Sequence, residues 1–211
     1  MNLLSILAKG GWLMIPIVLF SVIAVGIFVE RLVVLRKSRI NLNAFLLKLR
    51  QQIVNKDIDG ALKLCAHSES PVARVLEIGI KKHTQSRAEI KDAIESAGRT
   101  EIYQLEKGFG ALATLAGVAP LTGFLGTVTG MIRAFMRIQE LGGNVNATVL
   151  AGGIWEALIT TAAGLVVGIL TLLAYNYLVG RVERFVFELE VSSSNLLELL
   201  TGNAVEKEVT L

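Results

Sequence analysis

Three long uncharged apolar runs leave this chain few folds to choose from. Trp12 to Val29 ("WLMIPIVLFSVIAVGIFV") ends at Glu30 and Arg31, Gly108 to Ile132 is uncharged throughout, and Ala157 to Val179 follows a lone Glu156. A bilayer core of about 30 Å needs about 20 apolar helical residues, so each run suffices as a span. The first run lacks a basic leader and an A-x-A cleavage site, which favours a retained span over a signal peptide. Only 18% of residues are charged, against about a quarter in soluble domains, and they are concentrated between the runs. The class is an all-α integral membrane protein with three transmembrane helices.

The basic residues orient it. Most Lys and Arg lie between Arg36 and Lys107, and Arg181 and Arg184 follow the third run, whereas "QELGGNVNATVLAGG" between runs two and three has neither. The positive-inside rule then places the N-terminus outside and the basic block and C-terminus inside. Arg133 and Arg137, near the outer end of the second run, oppose the rule and either snorkel or face a polar interior. The expected organisation is an interfacial segment (1–11), a first span (12–35) and a cytoplasmic helical domain (36–107). A second span (108–138), an outer loop (139–150), a third span (151–180) and a cytoplasmic C-terminal helix and tail (181–211) follow. "SRAE" (Ser86 to Glu89) reads as a capping box, and Ser70-Pro71 as a capped helix start. With no Gly or Pro cluster in between, one long helix is expected from about Arg87 to about Gln139, bent at Pro120.

The second run, "PLTGFLGTVTGMIRAF", is rich in Gly and Thr, which are poor to middling helix formers. At 100° per residue, Ala116, Ala119, Thr122, Gly123, Gly126, Thr127, Gly130, Arg133 and Ala134 fall within an arc of roughly 140°. In the third run Gly153, Glu156, Ala157, Thr160, Thr161, Gly164, Gly168 and Thr171 do the same, with Val167 the bulky exception. Bulky residues take the other side of both helices. Two readings fit a small, weakly polar face. It packs helices closely, as small-xxx-small patterns such as Gly126/Gly130 and Gly164/Gly168 do in lipid, or it lines a lumen. An ionisable group such as Glu156 at a span marks an ion path or a buried partner, and this favours the lumen.

Other chemistry finds little support. The net charge of +3 is small and dispersed, which argues against nucleic acid. Cys65 alone builds neither disulfide nor metal site and reads as a buried core thiol. His67 and His83 sit in the basic block without Ser/His/Asp, HExxH or Gly-Lys phosphate motifs, so no enzyme, metal or cofactor is expected. A membrane scaffold whose glycines serve only packing is the alternative function.

"APLTGFLGTVTGMIRAF" (119–135) followed by "GIWEALITTAAGLVVGILTLLAYN" (153–176) resembles the paired signature of the MotA/TolQ/ExbB proton-channel family, closely so from 108 to 184. The three-span, N-out layout is similar to the ExbB/TolQ branch rather than the four-span flagellar one. The resemblance implies a homo-oligomeric ring, typically a pentamer, around a dimer of an ExbD/TolR-like single-span partner in the bacterial inner membrane. The partner's membrane Asp would carry protons past ring threonines, with a TonB/TolA-like protein passing force across the periplasm. Carried onto this chain, the proton pathway comprises Thr127, Thr161 and Glu156. Thr122, Gly123, Gly126, Gly130, Thr160, Gly164 and Gly168 face the lumen or a neighbouring helix. Leu170 stands where the branch commonly has Pro, which implies a straighter third helix. Which ion moves, and which process is driven, the resemblance leaves open.

Overall fold

The computed structural model describes residues 10–38, 40–140 and 147–202. Among these the elements are all helices: α1 (Met14–Lys37), α2 (Leu42–Val54), α3 (Ile58–Ala66), α4 (Pro71–Lys81), α5 (Arg87–Glu106), α6 (Phe109–Glu140) and α7 (Ala147–Leu200). Three helical stretches, Met14–Lys37, Arg87–Glu140 and Ala151–Leu200, are long and apolar enough to cross a membrane. The described chain divides into two units, one made of the residues up to Glu30 with Gly108–Leu178, the other of Arg31–Lys107 with the residues from Val179 onward.

The first unit holds the apolar runs. Many of its bulky side chains are exposed, Leu121 by 68%, Phe124 by 63% and Leu170 by 61%, which is costly in water and neutral against acyl chains. Beyond the bulky Phe109 and Leu112 near its start, the buried positions of α6 are Ala119, Gly123, Gly126, Gly130 and Ala134, and those of α7 in this unit include Ala157, Thr160, Gly164, Gly168 and Thr171. These are the small faces read from the sequence. Aromatic edges add local anchors: Phe109 meets Tyr175 at 6.2 Å and Phe28 meets Tyr177 at 6.4 Å, both T-shaped.

The second unit is held by an ordinary hydrophobic core. Helical spacing delivers it: Phe45, Leu49 and Ile53 from α2, Ala61 and Cys65 from α3, Val72, Leu76 and Ile80 from α4, Ile90 and Ile94 from α5. Leu189, Leu196 and Leu197 of α7 complete it. Gly79 lets α4 approach closely, since a Cβ there would lie 2.7 Å from Ile94 Cδ1 and 3.2 Å from Leu196 Cδ2. Asn41 and Asp57 cap α2 and α3, accepting from Ala44 N at 3.3 Å and Gly60 N at 2.8 Å. The capping box forms as expected: Ser86 Oγ accepts from Glu89 N at 3.3 Å while Ser86 N donates to the Glu89 carboxylate at 2.9 Å. The Ser86 hydroxyl, which also donates to the Glu89 carboxylate at 2.7 Å, and then the Ser86 N–H hold that carboxyl below its usual pKa. Ser70 stands at the N-cap of α4 with Pro71 in the first turn, but its side chain makes no cap hydrogen bond. Arg74 binds Glu101 through two nitrogens, tying α4 to α5.

The helix expected to run unbroken from Arg87 is interrupted once, at Lys107 and Gly108. Gly108 has φ +90°, a conformation that costs an L-residue about 1–2 kcal/mol. A single glycine suffices for this stop, which is why looking for a Gly/Pro cluster overlooked it. Pro120 lies inside the continuous α6. Toward the C-terminus, the third apolar run lies within one 54-residue helix, α7, which continues to Leu200 through most of the stretch expected as the C-terminal helix. The expected interfacial segment falls outside the described residues except for Gly10 and Gly11, as do 141–146 of the expected 139–150 loop, whose remaining residues are helical, and the tail beyond Gly202.

Two predictions test this description. Gly108→Ala should destabilise the protein by about 1–2 kcal/mol, because its Cβ adds backbone strain and would stand 3.1 Å from Ile27 Cγ2. A melting temperature in detergent equal to that of the wild type would contradict it. Burial, with Glu77 adding repulsion, pushes the Cys65 thiol up from 9.0 to about 12. Near neutral pH it should therefore resist maleimide until the chain unfolds. Because the folded pKa is raised, its contribution to stability is fully present below pH 9.0 and is lost as pH rises towards about 12. Replacing Cys65 with Ala should flatten that alkaline loss, as read from melts across the interval.

Candidate functional site

The face shared by α6 and α7 is built from missing side chains. A Cβ at Gly123 would lie 3.0 Å from Thr160 O and 3.1 Å from Thr161 Cα. One at Gly164 would lie 2.6 Å from Ala119 O and 2.9 Å from Gly123 Cα, and one at Gly130 would lie 2.9 Å from Ala157 Cβ. Gly126 faces Thr160, and Gly168 faces the Pro120 ring. Real Cβ atoms essentially never approach closer than 3.0 Å, and at 3.0–3.1 Å the neighbour must give way, which backbone does least readily. The helices therefore meet main chain to main chain along several turns, as helices in lipid do where small residues line the contact.

The hydroxyls on this face play two different parts. Thr161 Oγ1 donates to Gly123 O at 2.8 Å, an interhelical bond at the point of closest approach. Thr160 is buried, and its Oγ1 lies 2.8 Å from both Gly10 O and Glu156 O, so one proton serves two carbonyls. Thr127 and Thr122 instead donate within α6, to Phe124 O at 2.6 Å and Val118 O at 2.9 Å. Both are only partly buried. They occupy the two edges of the small arc, whereas the glycines occupy its middle, so one chain brings Thr161 onto the contact and leaves Thr127 beside it.

Glu156 is not alone. Arg133 Nη1 stands 3.0 Å from its Oε1, joining α6 to α7, with the side chains 49% and 27% exposed respectively. Pairing lowers the cost of placing either charge beside an apolar run. It also explains why Arg133 departs from the positive-inside pattern: it accompanies an acid. The signal was present in the sequence, since both residues lie on the small faces. Gly11 has φ +69°, and its Cα faces the same carboxylate so closely that a Cβ would collide with Glu156 Oε1. Gly10 and Gly11 thus seat the chain entering α1 against Thr160 and Glu156. The "GG" pair ahead of the first run was the overlooked cue.

Chemically, the site offers a paired carboxylate, a guanidinium and hydroxyl oxygens whose lone pairs remain able to accept. Among the described residues no group of His, Cys, Asp and Glu is arranged to hold a metal ion.

The MotA/TolQ/ExbB proton channel family model matches residues 67–191, which contain α6, the membrane part of α7 and much of the second unit. The putative biopolymer transport protein ExbB homolog of Methanothermobacter thermautotrophicus is 29% identical, over 90% of this chain and 67% of its own length. The putative biopolymer transport protein ExbB-like 1 of Synechocystis is 36% identical, over 84% of this chain and 71% of its own. Biopolymer transport protein ExbB of Xanthomonas campestris pv. campestris is 40% identical over a shorter stretch, 44% of this chain and 36% of its own. A family match extending across more than half the chain, together with relatives aligned over most of their lengths, identifies it: the chain belongs to the MotA/TolQ/ExbB proton channel family.

Proposed function

We propose that this chain is the ring-forming subunit of an ExbB-type inner-membrane motor, working with a single-span partner of the ExbD/TolR type. The protein is a membrane component of proton-channel energy transduction by family. Several copies form the ring, most simply a pentamer, with the N-terminus outside and the C-terminus in the cytoplasm. The partner's membrane carboxylate moves protons past Thr127 and Thr161, with Glu156 at the outer end of the path. The resulting motion does work beyond the membrane through a periplasm-spanning protein of the TonB/TolA kind.

The observation that carries this reading is the Arg133–Glu156 pair at 3.0 Å, on the same face as the Thr161 hydroxyl. Glycine-to-glycine packing would serve a scaffold equally well. A scaffold has no use for an ion pair at the end of an apolar contact, where apolar residues would fit at lower desolvation cost. A proton path does, because a carboxylate flanked by a guanidinium and hydroxyls can exchange partners as charge moves. None of the three apolar runs contains an Asp, in keeping with a carrier supplied by another chain.

Thr161→Val preserves shape and removes the hydroxyl. Coupled activity of the complex, read as partner-dependent proton uptake in proteoliposomes, should fall by about tenfold or more, while Thr161→Ser retains it. The mass of the assembled complex should be unchanged in both variants. Full activity in Thr161→Val would remove Thr161 from the path. Glu156→Gln keeps the shape and loses the charge, and should reduce coupling by a similar factor. A Gln variant with wild-type uptake would support the scaffold instead.

A further inference from the structure

The second unit contains a cavity of about 300 Å³, at the small end of the range of ligand pockets. Ser38, Ser70, Arg181, Arg184 and Glu188 contribute its polar lining, the Ser38 hydroxyl donating to Val34 O at 2.9 Å, and Leu35 and Phe185 are among the apolar side chains that complete it. Ser70 is the unusual member. It is 1% exposed, and its hydroxyl has no hydrogen-bond partner. A serine at an N-cap ordinarily satisfies the first turn of its helix, but this one makes no cap bond. A buried hydroxyl without a partner is destabilising, so its persistence beside a cavity needs a reason.

The surroundings point to an anion. Ser70 opens α4, an 11-residue helix whose N-terminal end carries partial positive charge and whose first N–H groups have no intrahelical acceptor. Two guanidinium groups share the lining with one carboxylate, and that carboxylate, Glu188, accepts from Arg184 Nε at 3.1 Å. Guanidinium forks, a hydroxyl donor and a helix N-terminus match the oxygens of a tetrahedral anion. We propose that this cavity is a binding site for a phosphate group carried on an ester, either the headgroup of an anionic phospholipid or a soluble phosphate ester. The apolar lining favours an ester over inorganic phosphate, since one side of the ligand then meets carbon. Along the sequence, Leu35 follows the first apolar run in the last turns of α1, and Arg181 follows the run that ends at Val179.

The test uses the full-length protein in a mild detergent, with dioleoyl phosphatidylglycerol, a phosphate-free galactosyl diacylglycerol and glycerol 3-phosphate as separate probes. Binding is read by native mass spectrometry and by the rise in melting temperature. Phosphatidylglycerol should add one molecule per chain, and the galactolipid should not compete. Ser70→Ala and Arg181→Gln should each weaken that binding about tenfold or more. Arg99→Gln, at an exposed position of α5, should leave it unchanged. Without ligand, Ser70→Ala should melt no lower than wild type, because it removes an unsatisfied group, so a binding loss in that variant cannot be ascribed to misfolding. Glycerol 3-phosphate binding as well as the lipid, with the same dependence on Ser70 and Arg181, would support the proposal and identify a soluble source. Equal binding of the galactolipid, binding indifferent to both substitutions, or no binding of either phosphate probe would overturn it.

Discussion

The close approach of two backbones, α6 against α7, is the constraint on which the membrane part of this protein depends. Between helices in lipid there is no hydrophobic driving force, because acyl chains are as apolar as leucine. What remains is contact between atoms and the few hydrogen bonds that contact allows. Gly123 and Gly164 remove the side chains that would hold the helices apart, and only then can Thr161 reach Gly123 O at 2.8 Å. The Arg133–Glu156 pair at 3.0 Å and the seating of Gly10 against Thr160 depend on the same approach. A chain with alanine or valine at the central glycines would keep three apolar helices and lose the geometry of the site.

One helix carries two packing chemistries. Through Leu178, α7 presents a small face to a neighbour and bulky residues elsewhere, the reverse of an amphipathic helix in water. From Val179 onward it contributes Leu189, Leu196 and Leu197 to a leucine- and isoleucine-rich core of the ordinary kind. The boundary between these regimes coincides with the return of arginines in the sequence, Arg181 and Arg184. In the first regime burial selects for smallness, and in the second it selects for apolar volume.

Much of this was legible in the sequence, and the parts that were not share a cause. The small arcs of both runs became the buried arcs, because a helix fixes the angle of every residue it contains. The Ser86 capping box and the buried Cys65 thiol were equally local matters, decided within a few residues or by one helical period. What escaped was either a single backbone angle or a pairing between elements. Gly108 ends α5 by adopting φ +90°, which a lone glycine does not announce. Ser70 occupies the expected cap position but does not cap, because cap geometry depends on a rotamer. Thr122 and Thr127 look like Thr160 and Thr161 in sequence, yet they bond within their own helix because they lie at the edges of the contact.

By itself, therefore, the sequence determined the class, the three apolar runs, the faces the second and third would bury and the family signature those two carry. Length, hydropathy and helical period are properties of one strand of residues, and they need no partner to be read. The tertiary structure alone decided that Glu156 pairs with Arg133, that Thr161 bonds across helices while Thr127 does not, and that an unsatisfied Ser70 borders a cavity. Each of these depends on the distance between atoms on different elements. Periodicity gives the direction of a side chain about its own axis, but not how far away the next helix will be.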